Sequence, residues 1–512
     1  LLLTNHKLLI VKKNIKKYKF IFAICLAFLS VVACGSDSDT PEEAKPQVKT
    51  LKTDINKIDY VAKGSTANVT VTTDAKSWTI VSNVGWIQLD KTSGAAGSSV
   101  VSIKAAENTT TAVRTGIVTI SSTEAGSVKI AVSQAAASVV TGLYPSYNTN
   151  PIADDAAGMG STAVQLAAKM KLGWNIGNTL EATGGETNWG NPRVTKALID
   201  LVKANGFNAI RIPCSWNQNA NSTTAKISAT WLARVKEVVQ YCVDNDMYVI
   251  VNIHWDGGWL EENCTEAKKE ANNAKQKAFW EQIATNLRDF DEHLLFASAN
   301  EPNVKDAVGM AVLNSYHQTF IDAVRSTGGK NAYRNLIIQG PSTDIKTTNE
   351  LMTTLPTDKV ADRMMAEVHF YPYQFCLLDK DGKESWEKMF YYWGAGNHST
   401  TDITRNPTWG EEADVDKFFL SMKTQFVNKG IPVILGEFGA IRRDLTGDAL
   451  TLHLKSRAAF LKYVVKQSRA NGMIPFYWDA GNLGVNTMSL FDRSNNSVYD
   501  LQALTALQDG LK

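Results

Sequence analysis

The stretch His293–Asn303, HLLFASANEPN, decides the fold. It opens on the apolar run Leu294–Ala297, turns small, and closes on Asn300-Glu301-Pro302. A short apolar run bounded by a turn signal reads as a buried strand. Pro302 removes a backbone donor and fixes φ, so regular structure stops there. Glu301 therefore sits at the C-terminal mouth of a strand, directly after an amide side chain. The comparable carboxylate lies 136 residues on, in Val433-Ile-Leu-Gly-Glu437-Phe-Gly439, again an apolar run ending in Glu.

Outward from Glu301, such runs recur at Leu172–Ile176, Asn208–Ile212, Tyr248–Ile253, Leu336–Gln339, Met364–His369, Val433–Glu437 and Ile474–Trp478. Helical patterns fill the intervals, at Ser161–Met170 (with Ser161 as N-cap), Val194–Ala204, Trp231–Asp244, Lys275–Asp289, Val312–Thr327, Val415–Asn428 and His453–Asn471. Strand and helix in eightfold alternation predict a (β/α)8 TIM barrel over residues 161–512, with its site at the strands' C-terminal ends. The longest interval, Gln374–Trp409, carries Trp386, Phe390, Tyr391, Tyr392, Trp393 and Trp409 and reads as a long active-site loop.

The strand ends are polar or aromatic: Asn175, Arg211, His254, Asn300-Glu301, His369 with Tyr371, Glu437 and Trp478. Singly, His254 or His369 reads as a satisfied buried histidine. Jointly, these groups converge only if the barrel closes. Two glutamates on two strand ends are what glycoside hydrolysis needs, one as general acid and one as nucleophile.

The N-terminal third differs in composition. Residues 1–33 hold six lysines and no acid, so their removal takes the formal charge from +2 to −4, which argues against nucleic acid as a partner. Lys12–Lys19 precede the apolar run Phe20–Val32, a charged n-region and an h-region too short for an ordinary membrane span. The run ends Val31-Val32-Ala33-Cys34-Gly35, which resembles a bacterial lipobox and predicts a signal peptide over 1–33, lipidation of Cys34 and a cell-surface, outer-membrane lipoprotein. A plain signal peptide with an incidental cysteine is the alternative. The given chain opens on Leu1, and the true start is left open. Residues 34–50 read as a linker. Residues 51–137 alternate Val, Ile, Thr and Ser in short runs about ten residues apart, which predicts an immunoglobulin-like β-sandwich. Residues 138–160 read as a second linker. Cys214, Cys242, Cys264 and Cys376 show no metal-ligand spacing, and a disulfide among them stays open.

The sandwich block resembles the BACON module through Trp78, Trp86-Ile87, Ser93-Gly94, Asn108, Arg114-Gly116 and Ile130–Gln134. That resemblance implies either glycan binding or a spacer, with the two tryptophans expected in the core. From residue 161 onward, Arg211, His254, Asn300, Glu301, His369, Tyr371, Glu437 and Trp478 resemble the defining set of glycoside hydrolase family 5. The opening GWNIGNTLEA with Asn175, and Glu186–Pro192 with Trp189, look like that family's bacterial endoglucanase and xyloglucanase branch. Glu181 stands where Asp is expected, a difference that bears on substrate contacts.

The resemblance implies a retaining endo-acting hydrolase of β-1,4-glucan, cellulose-like or xyloglucan, working by double displacement without metal or organic cofactor. Glu437 would be the nucleophile, its pKa depressed by Arg211 and Tyr371. Glu301 would be the proton donor and later base, its pKa raised by Glu437. Asn300 would bind the sugar 2-OH, His254 and His369 would hold hydroxyls or orient neighbours, and Trp478 would floor the subsite. Asn175 and Trp189 complete the supporting and substrate-binding set. The implied partners are a plant-type β-glucan and, through the lipid, a membrane; the catalytic unit is expected to be monomeric. An endo-β-mannanase, a mixed-linkage glucanase and a non-catalytic glycan-binding barrel are the alternatives.

Overall fold

The computed structural model describes residues 48–110, 112–136 and 142–512. The leader, Cys34 and most of the first linker lie outside them. The chain divides into two compact units between Val139 and Val140.

The described residues of the first unit are all-β. Seven strands among them form one sheet folded around Val69, Val71, Trp78, Ile80, Val101, Ile103, Val118, Ile120, Ile130 and Val132. Two of the short alternating runs, Asn68–Thr72 and Trp78–Val81, belong to one long strand, Thr66–Ser82, whose pairing with Ser93–Ala105 shifts register between Thr73 and Ser77. An irregularity of this kind bends a strand and increases its twist. Two short strands, Leu51–Thr53 and Lys57–Tyr60, had no alternation long enough to be read in sequence. The motif residues are a latch. Gln134 Nε2 donates to the carbonyls of Val61, Ala62 and Ala106, Arg114 Nε donates to Gln134 Oε1, and Asn108 Nδ2 donates to the carbonyls of Ala112 and Ala135. Trp78 is buried, and Trp86 is half-buried with the Arg114 guanidinium 4.5 Å from its ring. Neither presents a free aromatic face.

The second unit is a closed barrel of eight parallel strands: β1 (Gly173–Ile176), β2 (Ala209–Ile212), β3 (Tyr248–Asn252), β4 (Leu294–Ala297), β5 (Leu336–Asp344), β6 (Met364–Phe370), β7 (Val433–Phe438) and β8 (Met473–Asp479). Ladder pairing runs in chain order and closes β8 onto β1. Ala209, Ile250, Leu295, Ile337, Met365, Ile434 and Ile474 point inward and form the apolar base of the barrel. The helix Ala163–Lys169 plugs that base with Ala163, Leu166, Ala167 and Met170. Its N-cap is Thr162, which forms a capping box with Gln165. Ser161, expected in that place, is instead held at N and Oγ by the Glu292 carboxylate, 2.8 Å from each.

The segment read as the second linker is fixed to the barrel from its middle onward. Ser146, Tyr147 and Asn148 all donate to the buried carboxylate of Glu281, and Ile152–Asp154 pairs as a strand with Gly328–Gly329. Its Pro and Gly content hid this, because two of the three donors are backbone amides, of Tyr147 and Asn148, and the third is the Ser146 hydroxyl. The four described cysteines are buried and free.

Candidate active site

Two residues up the strands from the apolar base, the barrel interior turns polar. Arg211 on β2, Asn252 on β3, Gln339 on β5 and Glu367 on β6 are all fully buried there. Strand alternation puts Glu367 on the same face as His369. Glu367 is the functional residue that the sequence reading missed. An acid inside the apolar run MMAEVHF, two residues before a site histidine, was the available signal. Gln339 Nε2 donates to Glu367 Oε2 at 2.6 Å, His369 Nε2 lies 3.2 Å from Oε1, and Arg211 Nε lies 2.9 Å from Oε1. The Arg211 Nε contact is a charge pair, because the N–H is too poorly aligned for a hydrogen bond.

From that base Arg211 forks upward. Its Nη1 donates to Glu437 Oε1 at 2.9 Å and Asn175 Oδ1 at 3.0 Å; its Nη2 donates to Asn300 Oδ1 at 2.7 Å. A guanidinium only donates, so it fixes the Asn300 oxygen towards itself and leaves the Asn300 amide N–H groups for the cleft. Asn175 is fully buried, and its Nδ2 donates to the Gly436 carbonyl at 2.8 Å. It braces the site from below and does not face substrate.

Glu437 reaches the cleft through a β-bulge. Ile434 belongs to the interior cluster, Val433 and Leu435 to the outer core. A Cβ on Gly436 would lie 2.1 Å from Glu367 Oε1, so Gly436 also faces inward. Strict alternation would then turn Glu437 outward. Instead Val368 pairs with Leu435 and His369 with Glu437, which leaves Gly436 as an extra residue. A second register shift, against β8, falls between Leu435 and Phe438. The bulge re-aims Glu437 into the barrel mouth.

There a carboxylate oxygen of Glu301, a ring nitrogen of His369 and a carboxylate oxygen of Glu437 lie within 4.8 Å of one another. His369 Nδ1 is 2.7 Å from Glu301 Oε1 and 3.8 Å from Glu437 Oε1; the Tyr371 hydroxyl donates to Glu437 Oε2 at 3.2 Å. Burial disfavours the His369 cation, but the charges of Glu437, Glu301 and Glu367 outweigh it and push the pKa up to about 10. His369 is thus a cation among three carboxylates, and with Arg211 it supplies the site's positive charge. Burial raises the Glu437 carboxyl, and Glu301 and Glu367 add to that against His369 and Arg211. Burial also pushes Glu301 up, but the His369 hydrogen bond and charge, with Arg211, hold it below the ordinary value. Although ringed by protein, its side chain keeps 44% of its surface open to solvent, against 8% for Glu437. This order reverses the sequence expectation, which paired Glu437 with the cations and overlooked the direct His369–Glu301 bond. His254 is held neutral by burial and by Arg211 and His369; its ring stacks on Trp478 at 5.6 Å.

Residues 174–484 match the family described as Cellulase (glycosyl hydrolase family 5). The chain belongs to glycosyl hydrolase family 5. Residues 76–135 match the family described as "BACON: Putative binding domain, N-terminal". A xyloglucan-specific endo-β-1,4-glucanase of Bacteroides ovatus is 37% identical over 515 residues, covering 96% of each chain. Among solved structures, a Bacteroides ovatus family 5 xyloglucanase in complex with a heptasaccharide aligns with TM-score 0.66 and 36% identity, over 90% of this chain and 99% of that one. A xyloglucan-specific β-1,4-glucanase from a ruminal metagenomic library aligns with TM-score 0.64 and 40% identity, over 69% and 96%. The chain is therefore a glycosidase of a retaining family.

Other residues of this family 5 barrel separate into core and cleft. Glu181 is buried, and its carboxylate accepts the amides of Asn178 and Thr179. It closes its own loop, so the Glu-for-Asp difference does not act by substrate contact. Within the long β6–β7 loop, Phe390, Tyr392 and Trp393 are core residues, whereas Trp386 and Trp409 are exposed. Arg443 clamps that loop through the carbonyls of Gln374, Phe375, Leu378 and Phe390. The exposed tryptophans among the described residues are Trp189, Trp255, Trp386 and Trp409, all on loops that follow C-terminal strand ends.

Proposed function

We propose that this family 5 hydrolase is a retaining endo-xyloglucanase in which Glu437 is the nucleophile and Glu301 the acid and base. The observation that carries the chemistry is the approach of the two carboxylates within 4.8 Å, beneath one forked arginine. That spacing suits direct attack and leaves no room for the water of an inverting enzyme. Glu437 attacks the anomeric carbon, Glu301 protonates the departing oxygen, and Glu301 then activates the water that releases the sugar. Asn300 directs its amide N–H groups to the 2-OH. In the resting site the Glu301 proton is held on His369 Nδ1. Substrate covers the exposed part of Glu301, strips its water and raises its pKa, drawing the proton across the 2.7 Å bond.

The four exposed tryptophans support a polysaccharide cleft, since flat aromatic faces suit sugar rings. Other relatives are named endoglucanases, but the Bacteroides ovatus enzyme that spans 96% of this chain is named xyloglucan-specific, and that full-length likeness favours xyloglucan over unbranched glucan. The test is hydrolysis of xyloglucan, carboxymethyl-cellulose, barley glucan and mannan with product sizing. Xyloglucan cleaved fastest supports the reading; equal or faster cleavage of an unbranched glucan overturns it. For the roles, Glu437→Gly with azide should yield the α-glycosyl azide and Glu301→Ala with azide the β-anomer.

The proposed setting is the bacterial outer surface, with residues 1–33 as leader, Cys34 lipidated, residues 34–50 as tether, and the 51–137 unit as a spacer before a monomeric catalytic unit. The absence of a free tryptophan face on that unit supports the spacer role. Cys34→Ala should release the protein from the membrane fraction.

A further inference from the structure

The β3–β4 side of the cleft holds a carboxylate outside the catalytic pair. Glu261 is 5% exposed. A single oxygen, Oε1, accepts the backbone N–H of Glu301 at 2.8 Å and that of Trp255 at 3.2 Å. Its own carbonyl accepts the N–H of Asn303 at 2.9 Å. No lysine or arginine pairs with it among the described residues, so its charge is met by backbone amides alone. Burial, with the charges of Glu301 and Glu437, pushes its carboxyl up to about 7. The two amides that Oε1 accepts belong to the proposed acid and to an exposed tryptophan of the cleft, so this carboxyl joins the two.

What it holds is strained. Trp255, Asp256, Gly257 and Gly258 run consecutively at φ +32°, +55°, +77° and +70°. For tryptophan and aspartate a positive φ is strained, and it persists only where the surroundings over-determine it. Asp256 is tied to the β2 side by the amide of Asn217 at 2.8 Å and the hydroxyl of Ser215 at 3.1 Å. Glu261 ties the same loop to β4. On the other flank Ser342 and Thr343, at φ +52° and +46°, close the collar, with Ser342 N donating to the Pro302 carbonyl at 2.6 Å.

We propose that Glu261 is a positioning residue for the reaction, holding the Glu301 backbone and the exposed Trp255 on one oxygen so that the acid's carboxyl meets the leaving-group oxygen of a chain seated against that tryptophan. This rests on Glu301 being the acid and base. Positioning of the acid matters only when the departing group needs a proton. Glu261→Gln keeps an acceptor oxygen; Glu261→Met removes it; Glu261→Asp keeps the charge but withdraws the oxygen by about 1.5 Å.

The experiment measures kcat/KM for these variants and for Glu301→Ala on two aryl β-cellobiosides, 2,4-dinitrophenyl and phenyl. For Glu261→Met and Glu261→Asp we expect loss of about tenfold or more on the phenyl substrate and less than about threefold on the dinitrophenyl one, with Glu261→Gln near wild type on both. Equal losses on both substrates, or none, overturn the proposal. If Glu261→Met does not fold, Glu261→Asp alone decides by the same ratio. If Glu301→Ala itself lacks the leaving-group dependence, the acid assignment fails, which is a distinct outcome.

Discussion

Gly436→Ala isolates the bulge that delivers Glu437. Gly436 is not in the left-handed region, so alanine adds volume without backbone strain. Its Cβ would lie 2.1 Å from Glu367 Oε1, so reaching an ordinary 3.4 Å contact needs a shift of roughly 1.3 Å. Glu367 has nowhere to go, being held by Gln339 at 2.6 Å, Arg211 at 2.9 Å and His369 at 3.2 Å. Overpacking costs about 1–3 kcal/mol, and loosening a buried ion pair adds to it, so a loss of about 2–4 kcal/mol and several degrees in Tm is expected. Activity should fall further, about a hundredfold in kcat, because Arg211 carries the shift to both Glu437 and Asn300. Gly439→Ala is the matched control: its nearest neighbour is the flexible Met488 Sδ at 2.7 Å, which can move aside. Melting curves and kcat on a soluble glucan measure both. A Gly436→Ala protein with unchanged Tm and kcat would refute the steric reasoning.

Arg211→Lys should lower kcat about a hundredfold or more with KM little changed, since one ammonium cannot span Asn175, Glu437 and Asn300; steady-state kinetics decides. Tyr371→Phe removes one donor 3.2 Å from Glu437 and should lower kcat about tenfold with little change in Tm. The His369 pKa is raised from 6.5 to about 10, so its contribution to stability is complete below pH 6.5 and is lost as pH rises towards 10. The Tm gap between wild type and His369→Asn should therefore narrow over that range, and a constant or widening gap contradicts the assignment.

The barrel was legible because each strand is a short apolar run that ends on chemistry, as at Leu294–Glu301. The cleft carboxylates were legible because proline and glycine mark where the strands stop. Three things were hidden. Glu367 sits inside an apolar run, and only strand alternation links it to His369. The bulge at Gly436 cannot be read from a sequence that looks like regular alternation with a glycine in it. The proton order depends on the 2.7 Å His369–Glu301 bond, which is set by two strands 68 residues apart. The β-unit showed its strands through Val and Ile periodicity, but its motif residues proved to be a backbone latch. Of the loop aromatics, composition could not separate Trp393, in the core, from Trp409, at the surface.

The proposed double displacement requires a covalent bond between Glu437 and the sugar. Incubation with a 2-deoxy-2-fluoro-β-cellobiosyl fluoride, followed by peptide mass spectrometry, tests it directly. A fluoroglycosyl group on the peptide that contains Glu437, with Glu301 unmodified, is the predicted result. Label on Glu301, or turnover to the α-product with no label at all, would contradict the account.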